Sequence, residues 1–147
     1  MQALIRSYGI VFAFIVSLIA TGGSLFLSEV LGYIPCQLCW FQRICMYPLV
    51  ILLGRAALRD DRNIAGYALP LSIIGGLIAA YHYAEQKIPG LAEIAPCKAG
   101  IPCNTDYLDW FGVITIPLMA LVAFILITVF LLMSKGAASD EDAEEAA

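Results

Sequence analysis

The chain has 147 residues, of which 61% are hydrophobic and only 14% charged, and its mean hydropathy is +0.86. That balance excludes an ordinary water-soluble globule, in which about 25% of residues are charged. The formal net charge of −4 identifies no partner, because five of the twelve acids crowd into the C-terminal "SDEDAEEAA".

Ser7 to Ser28 is the first charge-free stretch, 22 residues long. It matches the roughly 20 apolar residues that a helix needs to cross about 30 Å of hydrocarbon. Arg6 precedes it as it would precede a secretory signal, but the run exceeds a signal core and no clear A-x-A site follows, so a retained helix over about 8–28 is expected. The second candidate, about 37–58, is interrupted by Arg43 and Arg55. Arg55 lies near the far end, where a long side chain reaches the headgroups, whereas Arg43 sits about two turns in and is the costly charge. Asn63 to Ala84 (22 residues) gives the third span, about 63–84, and Trp110 to Ser134 (25 residues) the fourth, about 111–134. The acidic segment 136–147 has no apolar periodicity and is expected to be a disordered tail. The expected fold is an all-α membrane protein: an antiparallel four-helix transmembrane bundle over residues 1–135.

Lys and Arg in the short loops set the orientation. With four spans, the side that holds both termini carries Arg6, Arg55, Arg59, Arg62 and Lys135, five of the eight basic residues. Both termini and the tail are therefore expected in the cytoplasm. Cys36 and Cys39 at the top of the second helix, and Cys97 and Cys103 between the third and fourth, then face outward. Tyr33, Trp40, Phe41, Tyr81, Tyr83, Tyr107 and Trp110 cluster at the same outer ends, as an interfacial belt would. Disulfides persist on that side.

In "IPCQLCWFQR", Pro35 suits the first position of a helix, which puts Cys36 and Cys39 in its first turn. Unpaired N–H groups and the positive end of the helix dipole favour a thiolate there. Arg43 follows Cys39 by four residues and shares its face, so a charge that no useful pH removes stands beside a sulfur that must become an anion. The bland alternative for Arg43 is a side chain that reaches out to the interface. Cys45 is rotated away from this group and reads as a small buried hydrophobe.

The second pair lies in "EIAPCKAGIPCNTDYLDW", a loop by its prolines and glycine, where five residues separate Cys97 from Cys103. Two such small disulfide rings anchor a bundle poorly and suit opening and closing. Three uses stay open on the residues alone: dithiol exchange, static external disulfides in a non-enzymatic protein, or a four-thiolate zinc site from Cys36, Cys39, Cys97 and Cys103. His82, in "AAYHYAEQK", stands at the depth of the cysteine–arginine group. It reads either as an interfacial ring or as a proton carrier for a lipid-soluble quinone that takes electrons from the thiols.

"PCQLCWFQR", the "YH" at the end of the third span, the later external cysteine pair and "WFGVITIP" together resemble the disulfide bond formation protein B (DsbB) family, closest to its short BdbC-like branch. The likeness covers about residues 7 to 134. The order of the motifs separates it from the vitamin K epoxide reductase family, where the C-x-x-C follows the loop cysteines. The resemblance implies a membrane thiol:quinone oxidoreductase. Such a protein reoxidises an external thioredoxin-like (DsbA-like) thiol oxidase, passes the electrons to menaquinone or ubiquinone, and supports disulfide formation in exported proteins. It implies that Cys97 takes the partner's attack, Cys103 is the sulfur released, Cys36 exchanges with the loop pair and Cys39 is the quinone-proximal thiolate. Arg43 and His82 match residues near the quinone. The loop spacing is far shorter than in longer members, and Gln42 stands where those members commonly carry an acid.

Overall fold

The computed structural model describes residues 2–59, 61–88, 90, 103 and 115–145. Helix α1 (Gln2–Leu25) runs on into a π-helical turn, Phe26–Val30. Helix α2 is Gln37–Arg59, α3 is Ala65–Lys87, entered through a 3₁₀ turn at Arg62–Ile64, and α4 is Ile116–Glu145. Among the described residues there is no strand. Four segments are long and apolar enough to cross a membrane: Tyr8–Val30, Gln37–Arg59, Ala65–Lys87 and Ile116–Lys135. This is the all-α, four-span architecture expected from hydropathy, and only helices or closed barrels satisfy the backbone within lipid.

Helix ends differ from the expected ones in ways local chemistry explains. The third helix runs past Ala84 to Lys87, and the Ile88 N–H closes it on the Ala84 carbonyl at 2.8 Å. The fourth begins at Ile116, with residues 111–114 outside those described. It continues to Glu145, into the segment expected to lack structure; alanine and glutamate there are strong helix formers.

Each helix packs against two others, α1 on α2 and α4, and α3 on α2 and α4, which closes the ring of a bundle. Neighbours are antiparallel. Arg43 of α2 reaches Ser24 near the end of α1, while Phe14 lies against Gly54 farther along α2. Phe12 stacks near Phe130, and Gly9 meets the Phe130 carbonyl and Ser134, so the start of α1 lies beside the later half of α4.

The buried positions of α3 are Ala65, Ala68, Ser72, Gly75, Ala79, His82 and Glu85. Spaced by three and four residues, they form one seam, small along most of its length, that lets neighbouring backbones approach. Phe124, 1% exposed, lies directly over Gly75. Ser72 Oγ donates to the Phe124 carbonyl at 3.1 Å and lies 2.9 Å from Thr128 Oγ1, a polar link between helices inside the apolar layer. Leu49, Leu53, Ile127 and Leu131 fill the remaining centre, whereas Ile19, Ile51, Leu58 and Leu77 point outward, as lipid contact requires. His82 and Glu85 are the large polar residues at the top of the small seam.

Candidate functional site

The connection from α1 to α2 is short and specific. Gly32 takes a φ of 70°, a left-handed conformation that glycine adopts freely, after the π turn has closed with Leu31 N–H on the Phe26 carbonyl. The chain then reaches Pro35 and Cys36. Helix α2 starts at Gln37, so Cys36 is its N-cap rather than a residue of the first turn. The Cys36 carbonyl accepts the Trp40 N–H at 3.1 Å, and its sulfur accepts the Cys39 N–H at 3.3 Å. A cysteine sulfur thus takes the capping role usually played by a serine or aspartate oxygen, which explains why the helix begins one residue later than Cys36.

The Cys36 and Cys39 sulfurs are 2.9 Å apart, and both cysteines are free, as is Cys45. The Cys39 thiol donating to it, with His82 adding a second hydrogen bond, pulls the Cys36 thiol down to about 4 against the opposing effect of burial. A thiolate on Cys39, beside Arg43, is the expectation from helical spacing; the geometry favours an anion on Cys36, because the cap and His82 both serve that sulfur.

His82 is 1% exposed, so it is a core residue of the site and not an interfacial ring. Its Nδ1 lies 2.9 Å from Gln42 Nε2, its Nε2 lies 3.1 Å from the Cys103 carbonyl oxygen and 3.6 Å from Cys36 Sγ. Cys103 is 2% exposed and disulfide-bonded. The sulfurs of Cys36 and Cys103 and a ring nitrogen of His82 all lie within 4.8 Å of one another. The four-thiolate zinc alternative needs Cys97 as well, so it reaches beyond the described residues. Cys97, expected as the partner-facing sulfur, lies outside the described residues.

Arg43 makes its hydrogen bonds across the bundle to α1. Its Nε donates to Ser24 Oγ at 2.9 Å and its Nη2 to the Ser24 carbonyl at 3.0 Å, while the guanidinium stacks 5.4 Å from the Trp40 ring centre. That carbonyl belongs to the last turn of α1 before the π turn, where the regular hydrogen-bond ladder shifts. Cys45, as expected, is buried at 6% and its Cβ packs near Gly75.

Beside these groups lies a cavity of about 600 Å³ whose wall is mostly apolar. Cys36, Cys39, Gln42, Arg43, His82 and Cys103 all border it, together with Ser24, Met46, Tyr47 and Gln86. Among the described residues, the buried Tyr47 hydroxyl and Gln86 Oε1 have no hydrogen-bond partner. A cavity of this size with a few converging polar atoms has the form of a small-molecule site. Ser24, Gln42, Tyr47 and Gln86 are polar residues of this wall that were not expected as site members. Gln42 was the detectable one, since it shares the helical spacing of the buried Leu38, Cys45 and Leu49.

Four membrane spans that gather three cysteine sulfurs and a histidine beside an apolar cavity define a membrane thiol–disulfide oxidoreductase. The family model described as Disulfide bond formation protein DsbB matches residues 6–134, and the chain belongs to that family. It is 52% identical over 128 residues to "Disulfide bond formation protein C" of Bacillus subtilis, covering 87% of this chain and 93% of that one. It is 46% identical over 132 residues to "Probable disulfide formation protein" of Coxiella burnetii, covering 89% and 90%. "Probable disulfide formation protein C 1" of Bacillus cereus is 46% identical over 124 residues, covering 84% and 89%. No solved structure matches the chain.

Proposed function

We propose that the protein reoxidises a thioredoxin-like thiol oxidase outside the cytoplasm and passes the electrons to a membrane quinone. The observation that carries this is the juxtaposition of a free C-x-x-C pair, the disulfide-bonded Cys103 and an apolar cavity at one end of the bundle. Cys36 and Cys103 sulfurs within 4.8 Å are close enough for exchange after small side-chain movement. The relatives' names support disulfide formation as the outcome. The outward orientation rests on Arg55 and Arg59, which lie at the end of α2 opposite the cysteines.

The electron route balances at each exchange. A reduced partner's thiolate attacks Cys97 of a Cys97–Cys103 disulfide, forms a mixed disulfide, and the electron pair leaves on Cys103. The Cys103 thiolate attacks Cys36 of an oxidised Cys36–Cys39 pair; the Cys36–Cys103 bond forms and the pair leaves on Cys39. The partner's second thiolate releases the oxidised partner and frees Cys97, which attacks Cys103, closes the loop disulfide and leaves the pair on Cys36. The C-x-x-C now holds two electrons and the loop is oxidised.

A quinone, if bound in the cavity, would supply an acceptor for two electrons and two protons. The donor set fits it: Arg43 and the unpartnered Tyr47 hydroxyl offer hydrogen bonds to carbonyl oxygens, and the apolar wall suits a ring and the start of a tail. Cys39 stands at that wall, and His82 is the group there able to carry a proton. Closing the Cys36–Cys39 bond resets the chain.

Cys39→Ala tests the division of labour. Without Cys39, the chain should still capture the partner at Cys97, read by mass spectrometry of trapped peptides, while quinone reduction is lost. Loss of partner capture together with quinone reduction would sink this assignment.

A further inference from the structure

Gln42 is 7% exposed in the apolar layer, and its amide nitrogen lies 2.9 Å from His82 Nδ1. An amide N–H₂ only donates, so the Nδ1 facing it holds a lone pair. On the other side of the ring, the Cys103 carbonyl oxygen 3.1 Å from Nε2 only accepts, so Nε2 carries the proton. Two independent contacts thus require the same tautomer. The Nε2–H is shared between that carbonyl and the Cys36 sulfur at 3.6 Å. Gln42 has no other hydrogen bond among those described, and Leu38, Cys45 and Leu49 on its own face of α2 are apolar or weakly polar.

We infer that Gln42 is a positioning residue for the exchange between the loop disulfide and the C-x-x-C pair: it holds the proton of His82 on Nε2, aimed at the Cys36 sulfur. The inference rests on the exchange route proposed above. When Cys97 attacks Cys103 of the Cys36–Cys103 bond, the Cys97–Cys103 bond forms and the electron pair leaves on Cys36. The Nε2–H is in place to receive that charge. An acid at position 42 would accept a hydrogen bond instead, draw the ring proton to Nδ1 and strip Nε2 of its donor or force a second proton onto the ring. The amide is therefore the side chain that leaves a single proton on the sulfur side. The other titratable groups around Cys36 are Cys39 and Arg43 on α2, Glu85 one turn beyond His82 on α3, and Tyr33 in the connection before α2.

His82 is the sole histidine of the chain, so uniformly ¹⁵N-histidine-labelled protein in detergent gives one ring to observe. The sample is the full chain with the C-x-x-C pair reduced, compared with Gln42→Leu and Gln42→Glu. Nitrogen shifts should report a proton on Nε2 alone in the unaltered chain, exchange between both tautomers in Gln42→Leu, and protonation at Nδ1 in Gln42→Glu. In parallel, the pH midpoint for alkylation of Cys36, mapped by peptide mass spectrometry, should rise by about one unit in Gln42→Leu, the scale of one hydrogen bond to a charged sulfur. A ring protonated at Nδ1 in the unaltered chain overturns the inference. So does an unchanged tautomer, or an unmoved Cys36 midpoint, in both variants. If Gln42→Leu fails to give helical protein, Gln42→Glu alone decides through the same two readings. Neither reading uses a quinone or a partner, so absence of quinone turnover would refute the proposed function without touching this result.

Discussion

Ser24→Ala is the substitution that best separates a working Arg43 from a side chain merely parked at an interface. Ser24 holds the guanidinium by two bonds, one through its hydroxyl and one through its carbonyl. Alanine removes the first and keeps the second, and the stacking on Trp40 is untouched. A hydrogen bond to a charged group is worth about 1.5–3 kcal/mol, and with the carbonyl bond retained the lower end applies, about 1.5 kcal/mol. If that tether aims Arg43 into the cavity, the quinone concentration for half-maximal turnover should rise about tenfold. Arg43→Met should raise it further, and the Ser24→Ala/Arg43→Met double variant should be no worse than Arg43→Met alone. The assay is steady-state quinone reduction at varied quinone, with the rate of partner oxidation in a single turnover as the control that should not move. An unchanged quinone dependence in Arg43→Met refutes the role of the arginine. Unchanged dependence in Ser24→Ala alone refutes the tether.

Two further outcomes follow from the geometry. Because the folded chain lowers the Cys36 thiol to about 4, its thiolate adds stability that is fully present above the unfolded thiol range and is lost as pH falls through about 4. The stability difference between the reduced chain and Cys36→Ser should therefore shrink steadily between those limits in denaturant titrations; a flat difference contradicts the assigned anion. Gly75→Leu drives a side chain into the Phe124 ring and should destabilise the bundle by about 1–3 kcal/mol, whereas Gly76→Ala, which meets only an ordinary contact, should be tolerated in thermal unfolding. Equal tolerance of both changes would contradict the close α3–α4 approach.

The spans were legible because lipid imposes a simple rule: long charge-free segments must be helices, and each successive crossing of the membrane reverses the chain's direction. The grouping of Cys36, Cys39, Arg43 and His82 at one end follows from their depths along those spans. What stayed hidden depends on rotation about the helix axes and on a shift of one residue. Pro35 suggested a helix start that would place Cys36 inside the first turn; the sulfur's own capping bond to the Cys39 N–H moved it to the N-cap. Ser24 gave no signal as a partner of Arg43, since nothing in a charge-free span tells which neighbour an arginine nineteen residues away will face. His82 between two tyrosines read equally well as an interfacial ring, and only the small-residue seam below it, Ala68, Ser72, Gly75 and Ala79, marks its face as buried. Gln42 was noticed for its identity and not for its contact, because the pairing with His82 joins residues forty positions apart. Cys97, expected from the family resemblance to meet the partner, lies outside the described residues.

The central claim is tested most directly by following quinone reduction by absorbance, with purified protein in detergent and a reduced thioredoxin-like oxidase as electron donor. The account predicts catalytic turnover, with one quinone reduced per donor dithiol oxidised, that disappears in Cys39→Ala. No turnover with ubiquinone or menaquinone analogues across several donors, from protein whose helices are intact, would contradict it.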